Sequence, residues 1–474
     1  MLVYRKSGRV LEVIALPGEE VSKGEYLMVV DEARGIKLLT QVIDVDYIEV
    51  PGLLEELLRE GLLREGRVEA YDPLNVSRAI RVLRDTRVLT CVIRGAIVDG
   101  RFTCVVHELP SRISSKVLRV PTSEVVKIIG SCDLETELGV DEEGNTISID
   151  ASKLDGSLTL ITGMKGVGKS HLAKLLVLQL VRHGAPVMVL DLNGEYVGLA
   201  EDENIDIYVP GKNLFFSPSY LGREVFLNVM MHVLDLPGVS ANVFNELWPV
   251  FERRGEVTIR GMIDVVNRAV TNMMIRDAIV SRLMILASAR FMSDDACTPL
   301  EKLVSRGRGA IIQLKGLSSV EKKVLVEIIL SKLVNLLEGG VLPPLFLFAE
   351  EAHMYIRDTY WEDIITRMRH YGLYVVFITN QPDSIDNKVF RQMDNIFVFR
   401  FLNDHDLEML SKVSNVDSQT IKSLVRELSL GQCLVIGRVV NDIPILVRVS
   451  QLPVKALGAS RRVFSHVASS ALQS

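Results

Sequence analysis

Residues 158–184 read LTLITGMKGVGKSHLAKLLVLQLVRHG. Their centre, GMKGVGKS from Gly163 to Ser170, fits the phosphate-loop pattern G-x-x-x-x-G-K-[ST] at every fixed position. The flanks give that pattern its structural meaning. Leu158–Thr162 is apolar and rich in β-branched residues, which predicts a strand. After the loop, Leu172, Leu175, Leu176 and Leu180 recur at helical spacing and predict a helix with one apolar face. A strand, a glycine-bearing loop and a helix N-terminus make an anion cradle. Backbone N–H groups point at the phosphates, and the helix dipole favours negative charge. The loop residues Gly163, Met164, Lys165, Gly166, Val167, Gly168, Lys169 and Ser170, with His171 behind them, are expected to line a nucleoside triphosphate. Within it, Lys169 is expected to reach the β- and γ-phosphates and the Ser170 hydroxyl to hold Mg²⁺. A glycine-rich turn that merely precedes Lys-Ser is the bland alternative, and the flanking strand and helix speak against it.

Binding alone is not turnover. Hydrolysis also needs an acid on the Mg²⁺ side and a group that orients the attacking water. The run LFLFAEEAH, Leu345 to His353, is an apolar strand ending in adjacent carboxylates. Adjacent side chains leaving a strand diverge, so Glu350 is assigned to the metal and Glu351 to the water. Without the phosphate loop the same pair would read as two solvated glutamates at a helix N-terminus. Downstream, Tyr374–Thr379 predicts a strand whose tip carries Asn380 and Gln381, placed to report the γ-phosphate. Arg367 and Arg369 precede that strand on an expected helix. An arginine there offers charge to the transition state, in its own subunit or a neighbour's, worth about 10³ to 10⁵ in rate. A solvated helix terminus is the plain alternative. Asp191 and Glu195, in DLNGEY after the second strand, fall in the crevice at the carboxyl ends of an open α/β sheet. Asn193-Gly194 there also reads as the corner of a turn.

From about Asp155 the pattern alternates strand with helix, the sign of a mainly parallel α/β sheet. Further strands are expected at Pro186–Leu190, Ala310–Leu314, Leu345–Phe348 and Ile396–Phe401, with a closing pair at Cys433–Ile436 and Ile445–Val449. A helical insertion, near Ser219 to Arg306, carries helices at Val225–Val233, Ala241–Phe251 and Ile263–Leu286. Residues 1–110 read instead as a small β-barrel, with strands at Arg9–Ala15, Tyr26–Val30, Ile36–Val45, Leu89–Val98 and Phe102–Val106. The leucine-striped helix Leu53–Gly66 is expected to pack on it, a partner-binding face being the alternative. Residues 111–154 then serve as a linker, 155–450 as the core and 451–474 as a C-terminal arm.

At 474 residues the chain suits two or three domains, and 48% hydrophobic with 24% charged residues describes a globular protein with an ample core. No apolar run approaches the 18 or so residues of a membrane span, and MLVYRKSGRVLEV lacks the core of a signal peptide. Cys91, Cys104, Cys132, Cys297 and Cys433 are scattered, with no C-x-x-C pair, which argues against a disulfide framework or zinc ribbon. A cytoplasmic protein is expected. The net charge of −6 does not advertise nucleic-acid binding, yet a ring can confine its basic residues to a channel.

This set of residues resembles the archaeal HerA family of hexameric DNA translocases, in the wider group that includes the chromosome pump FtsK. The resemblance rests on GMKGVGKS, on DLNGEY after the second strand, on EEAH, on RHYG before the strand ending in TNQP, and on the closing LGQCLVIGRVVNDIPILVRV. It implies a RecA-like P-loop ATPase core with a small N-terminal barrel, and ATP with Mg²⁺ as cofactors. It makes Arg369 a trans-acting finger and implies a homo-hexamer threading DNA beside a NurA-type nuclease in end resection. Two departures stand out. Asn380 and Gln381 replace the family's Gln and Arg at the sensor, and Met164-Lys165 stand where small hydroxyl residues are common.

Three functions are compatible with these residues: a DNA motor in resection, a related motor in DNA transfer or defence, and a nucleotide-switched scaffold. The paired Glu350 and Glu351 argue against the last, since a switch does not need both. Lys388 and Arg391, after the sensor strand, are candidate pore residues.

Overall fold

The computed structural model describes residues 1–48, 85–98, 100–106, 109–130, 132–255, 257–354, 369–385, 387–413 and 416–452. The expected helix Leu53–Gly66, Arg367 and the arm beyond residue 452 lie outside the described residues.

Glycine turns punctuate the N-terminal region, as the sequence implies, and the strands between them form an antiparallel half-barrel. Its strands are β1 (Leu2–Ser7), β2 (Val10–Ala15), β3 (Tyr26–Asp31), β4 (Ile36–Tyr47), β5 (Arg87–Val98), β6 (Arg101–Thr103) and β7 (Lys116–Val120). They pair in the order β1-β2-β5-β4-β3-β7, with β6 on β5. Register shifts at Leu39/Thr40 and Val42/Asp44 bend the long β4–β5 ladder, the way a sheet curls towards closure. Alternate residues such as Leu11, Val13, Leu27, Val29, Leu89 and Cys91 fill the concave side. A helix, Thr122–Ile129, follows, then β8 (Glu135–Val140) and β9 (Thr146–Asp150).

The α/β alternation after Asp155 produces β10 (Thr159–Thr162), β11 (Val187–Asp191), β12 (Ile205–Tyr208), β13 (Gly309–Gln313), β14 (Leu345–Glu350), β15 (Leu373–Thr379) and β16 (Asn395–Val398). Every pairing among them is parallel, in the order β12-β13-β11-β14-β15-β10-β16. Strands β11 and β14 are buried at every position, as expected where helices cover both faces of a parallel sheet. The helices Lys169–Arg182 and Ser319–Glu338 bury long runs of Leu, Val and Ile. The last strands, β17 (Gln432–Gly437) and β18 (Ile445–Val449), form an antiparallel hairpin, and β18 also pairs with β8.

The chain gathers into two compact units. Among the described residues, one holds those within Met1–Cys132, Glu137–Ile149 and Arg400–Val449; the other holds those within Asp133–Thr136 and Asp150–Phe399, with residues 450–452. Arg94 shows why the late segment joins the half-barrel. Its guanidinium donates to Gln41 at 3.1 Å, to Asp417 at 3.1 Å and to Thr420 at 2.8 Å, fixing the helix Ser418–Glu427 to β5.

Several boundaries differ from the sequence reading. The edge strand β12 is unannounced by any long apolar run. The expected helix Ile263–Leu286 is two, Ile259–Ala269 and Met273–Ser288, because the Asn272 side chain caps the second by accepting from Met274 and Ile275 N–H. Ser217 likewise starts a helix at Pro218, which ends at Asn228 and passes into a π-turn, Val229–Val233. Strand β16 stops at Val398 rather than Phe401. Among the described residues no helix is long and apolar enough to cross a membrane.

Candidate active site

Parallel neighbours put their carboxyl ends on one edge. Thr162 of β10 pairs with Thr379 of β15, and Glu350 of β14 pairs with Ile378, so three connections leave the sheet at one level. They are the phosphate loop, the acid pair and the polar strand tip.

Gly163 leaves β10 with φ 152°, and a Cβ there would lie 2.5 Å from the Phe399 Cβ. Gly166 and Gly168 take φ values of 81° and 122°, which side-chain-bearing residues rarely adopt. Lys169 opens the following helix and folds beneath the loop. Its ammonium donates to the carbonyls of Gly163 at 2.9 Å and Met164 at 2.8 Å. Burial pulls its pKa below the usual lysine value, and the charges of Glu351, Glu195 and Glu350 oppose that fall.

Ser170 Oγ donates to Glu350 Oε1 at 3.1 Å. Glu350 is only 1% exposed. Burial pushes its carboxyl pKa up to about 9, with the charges of Asp191 and Glu195 adding to the rise. Asp191 is fully buried and serves its own turn. Its carboxylate accepts from the N–H groups of Gly194 at 2.8 Å, Glu195 at 3.0 Å and Tyr196 at 3.1 Å. That Asx-type turn returns Glu195 to the acid group, so the structure brings Asp191, Glu195 and Glu350 together.

Glu351 follows with φ 47°, the left-handed region that costs a non-glycine residue about 1–3 kcal/mol. The reversal separates it from Glu350 and brings its charge to bear on Lys169. Beyond β15, the Thr379 hydroxyl accepts from Gln381 N–H at 3.0 Å. Asn380 keeps a buried Oδ1 that no donor among the described residues reaches, while the Gln381 side chain is exposed. The His171 ring Nε2 lies 2.8 Å from the Ser450 carbonyl. Met164 and Lys165 are exposed at the loop apex.

Arg369 is not brought to this edge. It lies in a 3₁₀ turn, Arg369–Tyr371, ahead of β15. Its guanidinium donates to the Gly156 carbonyl at 2.6 Å and to both Asp394 oxygens at 2.8 and 2.9 Å. Gly156 and Asp394 precede β10 and β16, so this clasp sits at the amino ends of the strands. Four residues of β10 put about 13 Å between the two edges before the flanks are added. Within its own chain Arg369 therefore does not reach the phosphate loop.

Lys174 escaped the sequence reading. It is buried one turn beyond Ser170, its ammonium 5.5 Å from the centre of the Tyr196 ring. Burial lowers its pKa, opposed by Glu195, Glu350 and Asp191. The available signal was a lysine among the leucines of the helix face.

These residues suit a magnesium nucleotide. Three glycines at positive φ leave room for phosphate against the loop amides. Ser170 and Glu350 supply hard oxygen donors. Among the described residues no cluster of three His, Cys, Asp or Glu is placed to hold a metal alone. That agrees with Mg²⁺, which takes one or two protein oxygens and completes its shell with phosphate and water.

The family model for the central domain of helicase HerA matches residues 136–333. A probable helicase of Methanocaldococcus jannaschii is 20% identical over 482 residues, covering 94% of this chain and 89% of its own. The DNA double-strand break repair helicase HerA of Sulfolobus acidocaldarius is 20% identical over 490 residues, covering 96% and 93%. Among solved structures, the plasmid coupling protein TrwB in complex with ADP and Mg²⁺ superposes with a TM-score of 0.54 at 13% identity, over 72% of this chain and 94% of that one. The chain is thus similar to the HerA helicases, through the central-domain model over residues 136–333 and through distant relatives along nearly its whole length.

Proposed function

We propose that this chain is an ATP-driven DNA translocase that works as a hexameric ring in the cytoplasm and prepares DNA ends for repair beside a NurA-type nuclease. The observation that carries this reading is the convergence of Lys169, the Ser170–Glu350 pair and Glu351 at one level of one sheet edge. The name of the Sulfolobus acidocaldarius relative, a double-strand break repair helicase, supports DNA as the track. The loop amides and Lys169 take the triphosphate; Ser170 and Glu350 hold the metal. Bound there, Mg²⁺ would supply positive charge against the negative charge that develops on the phosphate. Glu351 polarises the attacking water, and Asn380 offers its buried oxygen to the same region as a sensor, with Gln381 beside it. Arg369 enters this scheme only in trans, at a neighbour's nucleotide, and must release Asp394 to do so.

The test is ATPase activity of the full chain with and without DNA, beside Glu351→Gln. Stimulation by DNA and loss of turnover in the variant are expected. A rate and a nucleotide affinity indifferent to DNA would favour a nucleotide-switched scaffold instead.

A further inference from the structure

Lys165 has no work in the scheme above, yet it stands at the apex of the phosphate loop, exposed between Met164 and Gly166. Met164, its neighbour, lends its carbonyl to Lys169 at 2.8 Å, so Lys165 is one residue from the point where the loop grips that ammonium. Lys165 is near enough to Lys169 for its charge to be felt there. Two cations in one loop repel, and an anion bound between them relieves that repulsion.

The charge balance points the same way. Asp191, Glu195 and Glu351 bring negative charge to this edge, and Glu195 and Glu351 bear on Lys169. A triphosphate adds several further negative charges. Lys174 is buried beneath the acids, over Tyr196, and Arg369 is clasped at the opposite end of the strands by Asp394 and Gly156. Lys165 is an exposed cation at the apex of the same loop.

We propose that Lys165 is a further catalytic residue: its ammonium contacts the γ-phosphate of the nucleotide in its own loop and supplies, in cis, the positive charge that a finger residue otherwise brings from outside. No bond to Lys165 forms or breaks; it holds charge while water attacks and ADP leaves. The role rests on the ATP-hydrolysis reading above. A lysine suits it because its flexible stem delivers a compact, strongly hydrated charge to a phosphate oxygen.

The test measures equilibrium binding of fluorescent ATP and ADP analogues to the full chain, with single-turnover hydrolysis, in wild type, Lys165→Ala and Lys165→Arg. Lys165→Ala is expected to lose about tenfold in affinity for the ATP analogue while holding the ADP analogue within twofold. Its hydrolysis rate is expected to fall about 10²-fold, the scale of losing one donor to developing charge. Lys165→Arg is expected to recover most of both. An unchanged ATP-to-ADP affinity ratio with hydrolysis within threefold of wild type would overturn the proposal while leaving the ATPase reading intact. A wild-type chain that binds neither analogue would overturn both. Recovery of activity on mixing Lys165→Ala with Lys169→Ala would also overturn it, since the charge would then act in trans.

Discussion

Ser170 Oγ and Glu350 Oε1 lie 3.1 Å apart, joining the first turn of the helix after the phosphate loop to the last residue of β14. The bond is made by an acid that burial and the nearby Asp191 and Glu195 charges hold at a pKa of about 9, against an ordinary value of 4.5. A raised carboxyl pKa means the folded chain keeps a proton that the unfolded chain has lost. Glu350 therefore costs nothing below about pH 4.5 and destabilises the fold progressively as pH rises towards about 9. In nucleotide-free thermal melts, Glu350→Gln is expected to gain several degrees on wild type between pH 5 and pH 9. Melting curves that stay parallel across that range would remove the buried-acid account.

Glu351 is the second half of the same edge and carries its own cost. At φ 47° it occupies a region where glycine is at ease and other residues pay about 1–3 kcal/mol. Glu351→Gly is thus expected to be about 1 kcal/mol more stable than Glu351→Ala in urea melts. Both variants, with Glu351→Gln, are expected to turn over ATP 10² to 10⁴ times more slowly than wild type while still binding it, the usual scale for losing a general base. Equal stability of the Gly and Ala variants would show that the backbone there carries no strain.

Much of this was readable where chemistry fixes residue types at fixed spacing. The loop, its helix and the run into Glu350 follow from the chain alone, and β14 is as continuously buried as LFLFAE suggests. What escaped depends on a single capping side chain or on distant partners. Met273 and Met274 continue the apolar pattern past Asn272, so only the cap geometry reveals the break. Lys174 reads as a polar interruption until the turn shaped by Asp191 lays Tyr196 beneath its ammonium. Arg369 meets Asp394 across 25 residues, a pairing set by strand order and invisible to local spacing.

That last pairing predicts a structural effect separable from any catalytic one. Arg369 grips both oxygens of Asp394 and the Gly156 carbonyl, and the Leu158 N–H donates to the same carboxylate at 2.9 Å. The clasp ties the starts of β10, β15 and β16. The guanidinium is a third exposed, so solvent screens part of the attraction. Arg369→Ala and Asp394→Asn are each expected to cost about 1–2 kcal/mol, and the double variant little more than the larger single loss. Additive losses in a double-mutant cycle would break the clasp account. Mixing Arg369→Ala with Lys169→Ala reads the other role: restored turnover requires Arg369 to serve a neighbour's site.

Gly163 and Phe399 set the entrance to the loop. A methyl group on Gly163 would meet the Phe399 Cβ at 2.5 Å and its Cα and carbonyl carbon at 3.2 Å, all close to the backbone and unable to swing aside. The φ of 152° adds its own penalty for an L side chain. Phe399 cannot retreat easily, because its N–H donates to the Thr162 carbonyl at 2.8 Å at the end of β10. Gly163→Ala must therefore move the loop rather than the phenylalanine, and the loop carries the carbonyl that holds Lys169. The expected cost is about 1–3 kcal/mol of stability, as for other overpacked sites. Nucleotide affinity should fall at least tenfold, because a shifted loop no longer aims its amides at the phosphates. Gly166→Ala makes the control: its positive φ strains the backbone, but no heavy atom lies within 4 Å of the added methyl. If the two variants lose equal affinity, strain alone accounts for both; a distinctly larger loss in Gly163→Ala assigns the difference to Phe399.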